Sequence, residues 1–164
     1  GNIEGREQIL EILEAGMQAA DPYYNTASMI KITSDRKLHI GDPAFVPLGS
    51  PKTDNDIYTL GTDIKRIFVF GAVKGIHRIA EAIEDALGDY LTGGLVILKY
   101  GDEHQLKRIK AVFGSHPVPD ENCVEASREL VRIIQSYNLK ETDLVFTIIG
   151  NGASSLMTLP CEGM

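Results

Sequence analysis

The stretch Arg66 to Gly88, RIFVFGAVKGIHRIAEAIEDALG, constrains the fold more than any other part of the chain. Ile67, Phe68, Val69 and Phe70 form an unbroken β-branched and aromatic run, as a parallel strand buried on both faces requires. Gly71 reads as its end. Further on, Ile76, Ile79, Ala80, Ile83 and Leu87 fall on one face of a helix, and Gly88 can cap its C-terminus. The pattern is strand, glycine turn, helix. Such a turn leaves backbone N–H groups free at a helix start, where an anion can sit, and Lys74 adds positive charge there. This makes the turn with Gly71 and Lys74 a candidate phosphate site. A plainer reading stands beside it: many strand–glycine–helix turns bind nothing, and the glycine only relieves a steric clash at the bend.

The remaining elements follow in chain order. Ile9, Leu10, Leu13, Met17 and Ala20 recur at helical spacing, which predicts an amphipathic opening helix from Ile3 to Ala20, stopped by Asp21-Pro22. Tyr23 to Met29 is compatible with a second short helix. Ile30 and Ile32, then Leu38 and Ile40 after the polar Ser34-Asp35-Arg36, alternate with polar residues and predict a hairpin. Residues 41–56 are rich in Pro, Gly, Ser and Asp and read as an exposed loop. Leu91-Thr92-Gly93-Gly94 is read as a turn before a second buried strand, Leu95 to Leu98. The distance from Phe70 to Leu95 suits a right-handed βαβ crossover. Ile109, Ala111 and Phe113 mark a shorter strand expected near an edge. The turn Gly114 to Glu121 feeds a helix running to about Tyr137, with Asp120 and Glu121 where acids favour a helix N-terminus. Leu144 to Ile149 is the fourth apolar strand, and it runs into a second glycine-rich junction, Gly150-Asn151-Gly152-Ala153-Ser154.

Alternating apolar strands and amphipathic helices predict one α/β domain over residues 1–164. It is an open, mostly parallel, Rossmann-like sheet with helices on both faces, an N-terminal helix and a small β-hairpin. Ligands in such sheets bind at the carboxyl ends of the strands. The turns after Phe70, Phe113 and Ile149 all lie there, so they form one crevice if their strands are neighbours.

Composition narrows the function classes. At 164 residues the chain can bury the core of one domain. With 23 acidic against 16 basic residues the net charge is −7, which argues against nucleic acid as a partner. No apolar run reaches membrane-spanning length and no signal-peptide pattern is present, so a cytoplasmic location is expected. Cys123 and Cys161 stand far apart, without CxxC or Cys/His ligand spacing, and read as small buried side chains. No metal-ligand cluster is expected.

The order of motifs resembles the N-terminal domain of the glycerate 2-kinase family, whose C-terminal portion is the MOFRL domain and some of whose members carry the name hydroxypyruvate reductase. The match rests on Asp21-Pro22, on Val69 to Lys74 as VFGAVK, on Gly93-Gly94-Leu95-Val96 with Lys99-Tyr100-Gly101, on Gly114 to Glu121 as GSHPVPDE, and on Asn151 to Gly163. GSHPVPDE is its most specific part. The resemblance implies ATP-dependent phosphorylation of D-glycerate at the 2-hydroxyl, with magnesium, in a site between two domains. It makes Lys74 the lysine that stabilises negative charge during transfer. It makes Ser154 the serine of a phosphate and substrate loop in which Asn151 and Gly152 supply backbone donors, and it sets His116 at the mouth of the crevice. The alternative for His116 is a histidine that orients a proline-rich turn.

Two departures stand out. Val73 precedes the lysine where the family has glycine, and Ala153 lies in the second loop where the family runs through glycines; both are less permissive of unusual backbone. The resembled kinases also continue for more than another such length. The chain is therefore expected not to complete the kinase reaction alone, with a non-catalytic anion- or nucleotide-binding module and a structural dimerising fragment as the other readings. An open sheet exposing apolar surface is expected to be covered by a homodimer.

Overall fold

The computed structural model describes residues 2–41, 57–75 and 77–161. The chain opens with α1 (Ile3–Ala20), capped by the Asn2 side chain, which accepts the Gly5 N–H at 3.0 Å. Asp21 ends this helix and caps the next, α2 (Pro22–Ser28), by accepting the Tyr23 N–H at 2.8 Å. Proline at the first helical position costs nothing there, because that N–H would lack a partner anyway. The hairpin follows as β1 (Ile30–Ile32) and β2 (Lys37–Ile40), and β3 (Ile57–Thr59) pairs antiparallel with β2. The expected hairpin is therefore two strands of a three-stranded antiparallel sheet. Beyond Gly41, the loop expected over 41–56 lies outside the described residues.

The main sheet is built from β4 (Arg66–Val73), β5 (Leu91–Lys99), β6 (Ile109–Gly114) and β7 (Asp143–Ile149), all parallel, in the order β6-β5-β4-β7. Helix α3 (Arg78–Leu87) covers one face; α4 (Glu121–Ser136) and the short α5 (Ala153–Leu156) cover the other. As expected, β6 is an edge strand. Ile76, predicted to join the helix face, lies outside the described residues.

Two glycine readings need correction. Gly71 does not end β4, which runs on through Ala72 and Val73. A Cβ on Gly71 would lie 1.9 Å from the Ile148 carbonyl oxygen, so Gly71 is there because β7 comes too close for a side chain. Likewise Gly93 and Gly94 form no turn but lie inside β5, which starts at Leu91, and a Cβ on Gly94 would meet the Val69 carbonyl oxygen at 1.9 Å. Pairing slips by one residue at this point: Leu91 is opposite Ile67 and Gly93 opposite Phe68, while the Thr92 hydroxyl oxygen accepts the Ile67 N–H at 3.1 Å.

Alternation along β4 divides the core. Ile67, Val69 and Val73 pack toward α3 and the small sheet with Ile83, Leu87, Val96 and Leu38, whereas Phe68, Phe70 and Ala72 pack toward α4 and α5 with Leu130, Ala153 and Leu156. The Tyr137 ring lies 4.4 Å from that of Phe68, tilted by 45°. Helix α1 stands apart: it buries none of its residues, and Ile9, Leu13 and Met17 remain exposed along one stripe.

Candidate functional site

Three loops leave the carboxyl ends of β4, β6 and β7 and meet. The Lys74 N–H donates to the Asn151 carbonyl at 2.9 Å and the Gly150 N–H to the Ala72 carbonyl at 3.3 Å, so the turn after β7 is tied to the turn after β4. Gly152 adopts φ +79°, and a Cβ there would lie 2.6 Å from His116 Cδ2 and 3.1 Å from Lys74 Cβ. Glycine is required at this point on both counts, and its bare Cα lets His116 and Lys74 approach from two sides. From α5, the Ser155 hydroxyl donates to the Pro117 carbonyl at 2.9 Å, which fastens the loop after β7 to the His116 turn. The His116–Pro117 peptide bond is cis.

The structure thus brings Lys74, His116, Asn151 and Gly152 together, with Ser154 two residues on in α5, and leaves Gly71 out, inside the sheet between β5 and β7. Lys74 and Ser154 are exposed. Among the described residues, the Asn151, Gly152 and Ser154 N–H groups have no acceptor and Lys74 has no acidic partner. An unpaired cation beside three unused donors suits an anion. Val73 and Ala153, the departures from the glycine pattern, leave this arrangement undisturbed, because both side chains are buried in the two cores and the left-handed positions fall on Gly75 and Gly152.

The GSHPVPDE turn is held from below. The Asp120 carboxylate accepts the Cys123 N–H at 3.0 Å as the cap of α4, the Ser115 N–H at 3.4 Å and the Tyr100 hydroxyl at 2.9 Å. Partial burial pushes this carboxyl up, but the hydrogen bonds from Tyr100, Cys123 and Ser115 outweigh it and hold Asp120 down at about 2. Tyr100 is raised, by burial first and by Asp120 second. Asp120 is therefore committed to the turn and the helix. Cys123 is buried, as expected, but Cys161 is exposed.

Sequence reading missed two contributors, Ser155 and Asp102, whose carboxylate accepts the Gly75 N–H at 3.2 Å, and it quoted Tyr100 in the motif match without a role. Tyr100 and Asp102 follow the carboxyl end of a buried strand, which was the available signal. A groove of about 200 Å³ lined by Phe70, Leu130, Val145, Ile149 and Met157 lies on the α4 side of β7, and a notch of about 130 Å³ beside Arg36, Lys65 and Tyr90 lies elsewhere. Neither is lined by Lys74, which stands exposed on the shelf where the three loops meet.

Residues 8–164 match the family model described as "Domain of unknown function (DUF4147)". The chain belongs to that family. It is 31% identical over 159 residues to a glycerate 2-kinase of Pyrococcus horikoshii, covering 97% of this chain and 31% of the relative. With a D-glycerate 2-kinase of Thermotoga maritima it shares 32% identity over 103 residues, 62% of this chain and 24% of that one. A crystal structure of a Pyrococcus horikoshii protein superposes with a TM-score of 0.73 at 30% identity, covering 97% of this chain and 32% of the other. The DUF4147 chain is thus a glycerate kinase-like domain, as its motif order suggested, and it spans about a third of the length of the first of these relatives. None of its described helices is long and apolar enough to cross a membrane.

Proposed function

We propose that this domain carries part of the site at which ATP phosphorylates D-glycerate on its 2-hydroxyl, and that it needs further protein to complete the reaction. The observation that carries this reading is the meeting of Lys74, His116 and Gly152 at the carboxyl ends of three strands, with unused N–H donors beside them.

Phosphoryl transfer is mainly positioning and stabilisation of negative charge. In this reading Lys74 neutralises charge on the transferred group, the Asn151 and Gly152 N–H groups and the Ser154 hydroxyl orient its oxygens, and His116 closes the mouth of the shelf. Gly71 acts only by letting β7 approach. Magnesium ATP supplies the phosphoryl group and part of the charge neutralisation. The donor set fits phosphate oxygens. No group of three or more metal-ligating side chains occurs among the described residues, and a nucleotide-borne magnesium needs few protein ligands. We also infer self-association through the exposed Ile9, Leu13 and Met17 stripe of α1.

Thermal-shift titration with magnesium ATP and D-glycerate, separately and together, with ADP release followed in the same samples, tests the reading. Magnesium ATP is expected to stabilise the chain, and Lys74→Ala to abolish that shift. ADP release dependent on glycerate would show that the domain completes a working site unaided. Stabilisation without release is the behaviour of an anion-binding module. Absence of any shift at millimolar ligand would remove the site itself.

A further inference from the structure

We propose that the segment joining β5 to β6 is a brace for the Lys74 turn, with Asp102 as the positioning residue and two α3 carboxylates as its anchor. Residues 100–108 have neither strand nor helix of their own, so their conformation depends on what holds them. Glu84 is only 6% exposed, and its carboxylate accepts three successive backbone N–H groups: Lys107 at 2.6 Å, Arg108 at 2.8 Å and Ile109 at 2.9 Å. One turn earlier on α3, Glu81 accepts the Gln105 N–H at 2.7 Å. A carboxylate is tolerated at this depth because its lone pairs are filled, and filling them fixes the backbone that supplies the donors.

At the other end of the same segment, Asp102 accepts the Gly75 N–H at 3.2 Å. Gly75 has φ +69°, a conformation glycine enters and leaves freely, so the backbone next to Lys74 is soft by itself. The Asp102 bond removes that freedom. Rigidity passes from the core of α3, through Glu81 and Glu84, along residues 102–109 and into the turn that carries Lys74. A turn held in place before an anion arrives loses less entropy when the anion binds. That last consequence rests on the phosphate-site reading of Lys74; the brace itself does not.

Amide hydrogen exchange by NMR on the full chain tests the brace without any ligand. Asp102→Ala should speed exchange of the Gly75 N–H by roughly five- to tenfold, the weight of one hydrogen bond, and leave Lys107 to Ile109 protected. Asp102→Asn, whose amide oxygen accepts the same bond, should restore Gly75. Glu84→Ala should release the Lys107 to Ile109 amides and speed Gly75 as well, and Glu81→Ala, at a half-buried position, should do the same at Gln105 and Gly75 if the Glu84 variant folds poorly. Unchanged Gly75 exchange in Asp102→Ala, or in the glutamate variants while their own amides open, overturns the brace. Titration with magnesium ATP separates the two ideas: weaker binding in Asp102→Ala and recovery in Asp102→Asn link the brace to the site. Absence of binding by the wild-type chain sinks the phosphate reading, while the exchange data still decide the brace.

Discussion

The Lys74 N–H donates to the Asn151 carbonyl at 2.9 Å, joining residues from opposite ends of the α/β alternation. Because β4 and β7 are adjacent, this bond sets the exposed lysine beside the glycine turn that follows β7. The candidate site follows from that adjacency.

Gly152 is the least replaceable residue of the shelf. In Gly152→Ala the left-handed backbone at φ +79° acquires a Cβ 2.6 Å from His116 Cδ2. A loss of about 1–3 kcal/mol is expected in urea unfolding. His116→Ala in the same background should recover the steric part and leave the backbone part.

Gly71→Ala should be far worse. The added Cβ meets backbone, the Ile148 carbonyl oxygen at 1.9 Å, and no rotamer relieves that. A loss above about 3 kcal/mol, visible as a collapsed thermal transition or insoluble expression, is the expected outcome. A mild effect would mean that β4 and β7 separate easily.

Acid should weaken the GSHPVPDE turn through Asp120. Its folded pKa, about 2, lies below the ordinary 3.8, so the folded state favours the charged form. Its contribution is complete above pH 3.8 and disappears as pH falls through about 2. Unfolding curves of wild type and Asp120→Asn should therefore differ by a constant amount at neutral pH and converge between those two values. Parallel curves down to pH 2 would contradict the assignment.

Replacing Ile9, Leu13 and Met17 together by glutamine removes no buried side chain, so thermal stability of the isolated protomer should change by less than about 0.5 kcal/mol. Sedimentation velocity should show a dimer in the parent and a monomer in the variant. A monomeric parent would end the proposal that α1 mediates self-association.

Much of this architecture was legible because its causes are local. Apolar runs at Ile67 to Phe70 and Leu95 to Leu98 read as buried strands and that at Leu144 to Ile149 as a further apolar strand, the spacing in α1, α3 and α4 read as helices, and Asp21-Pro22 read as a stop; each signal depends only on neighbours along the chain. Lys74, His116, Asn151, Gly152 and Ser154 were singled out through the motif order they share with glycerate 2-kinases. The glycines were another matter. Gly71, Gly93 and Gly94 look in sequence like turn residues, yet they lie within strands, where a neighbouring strand or side chain leaves no room for a Cβ. That distinction is made by a chain segment remote in sequence. The same holds for Asp102 and Glu84, whose roles exist only because residues 100–109 pass over α3. Sequence determined which segments are strands and helices, since periodicity and cap chemistry are properties of the local chain. Tertiary structure alone decided the strand order β6-β5-β4-β7, and with it which loops share one end of the sheet, because that order rests on backbone pairing and close packing between distant residues.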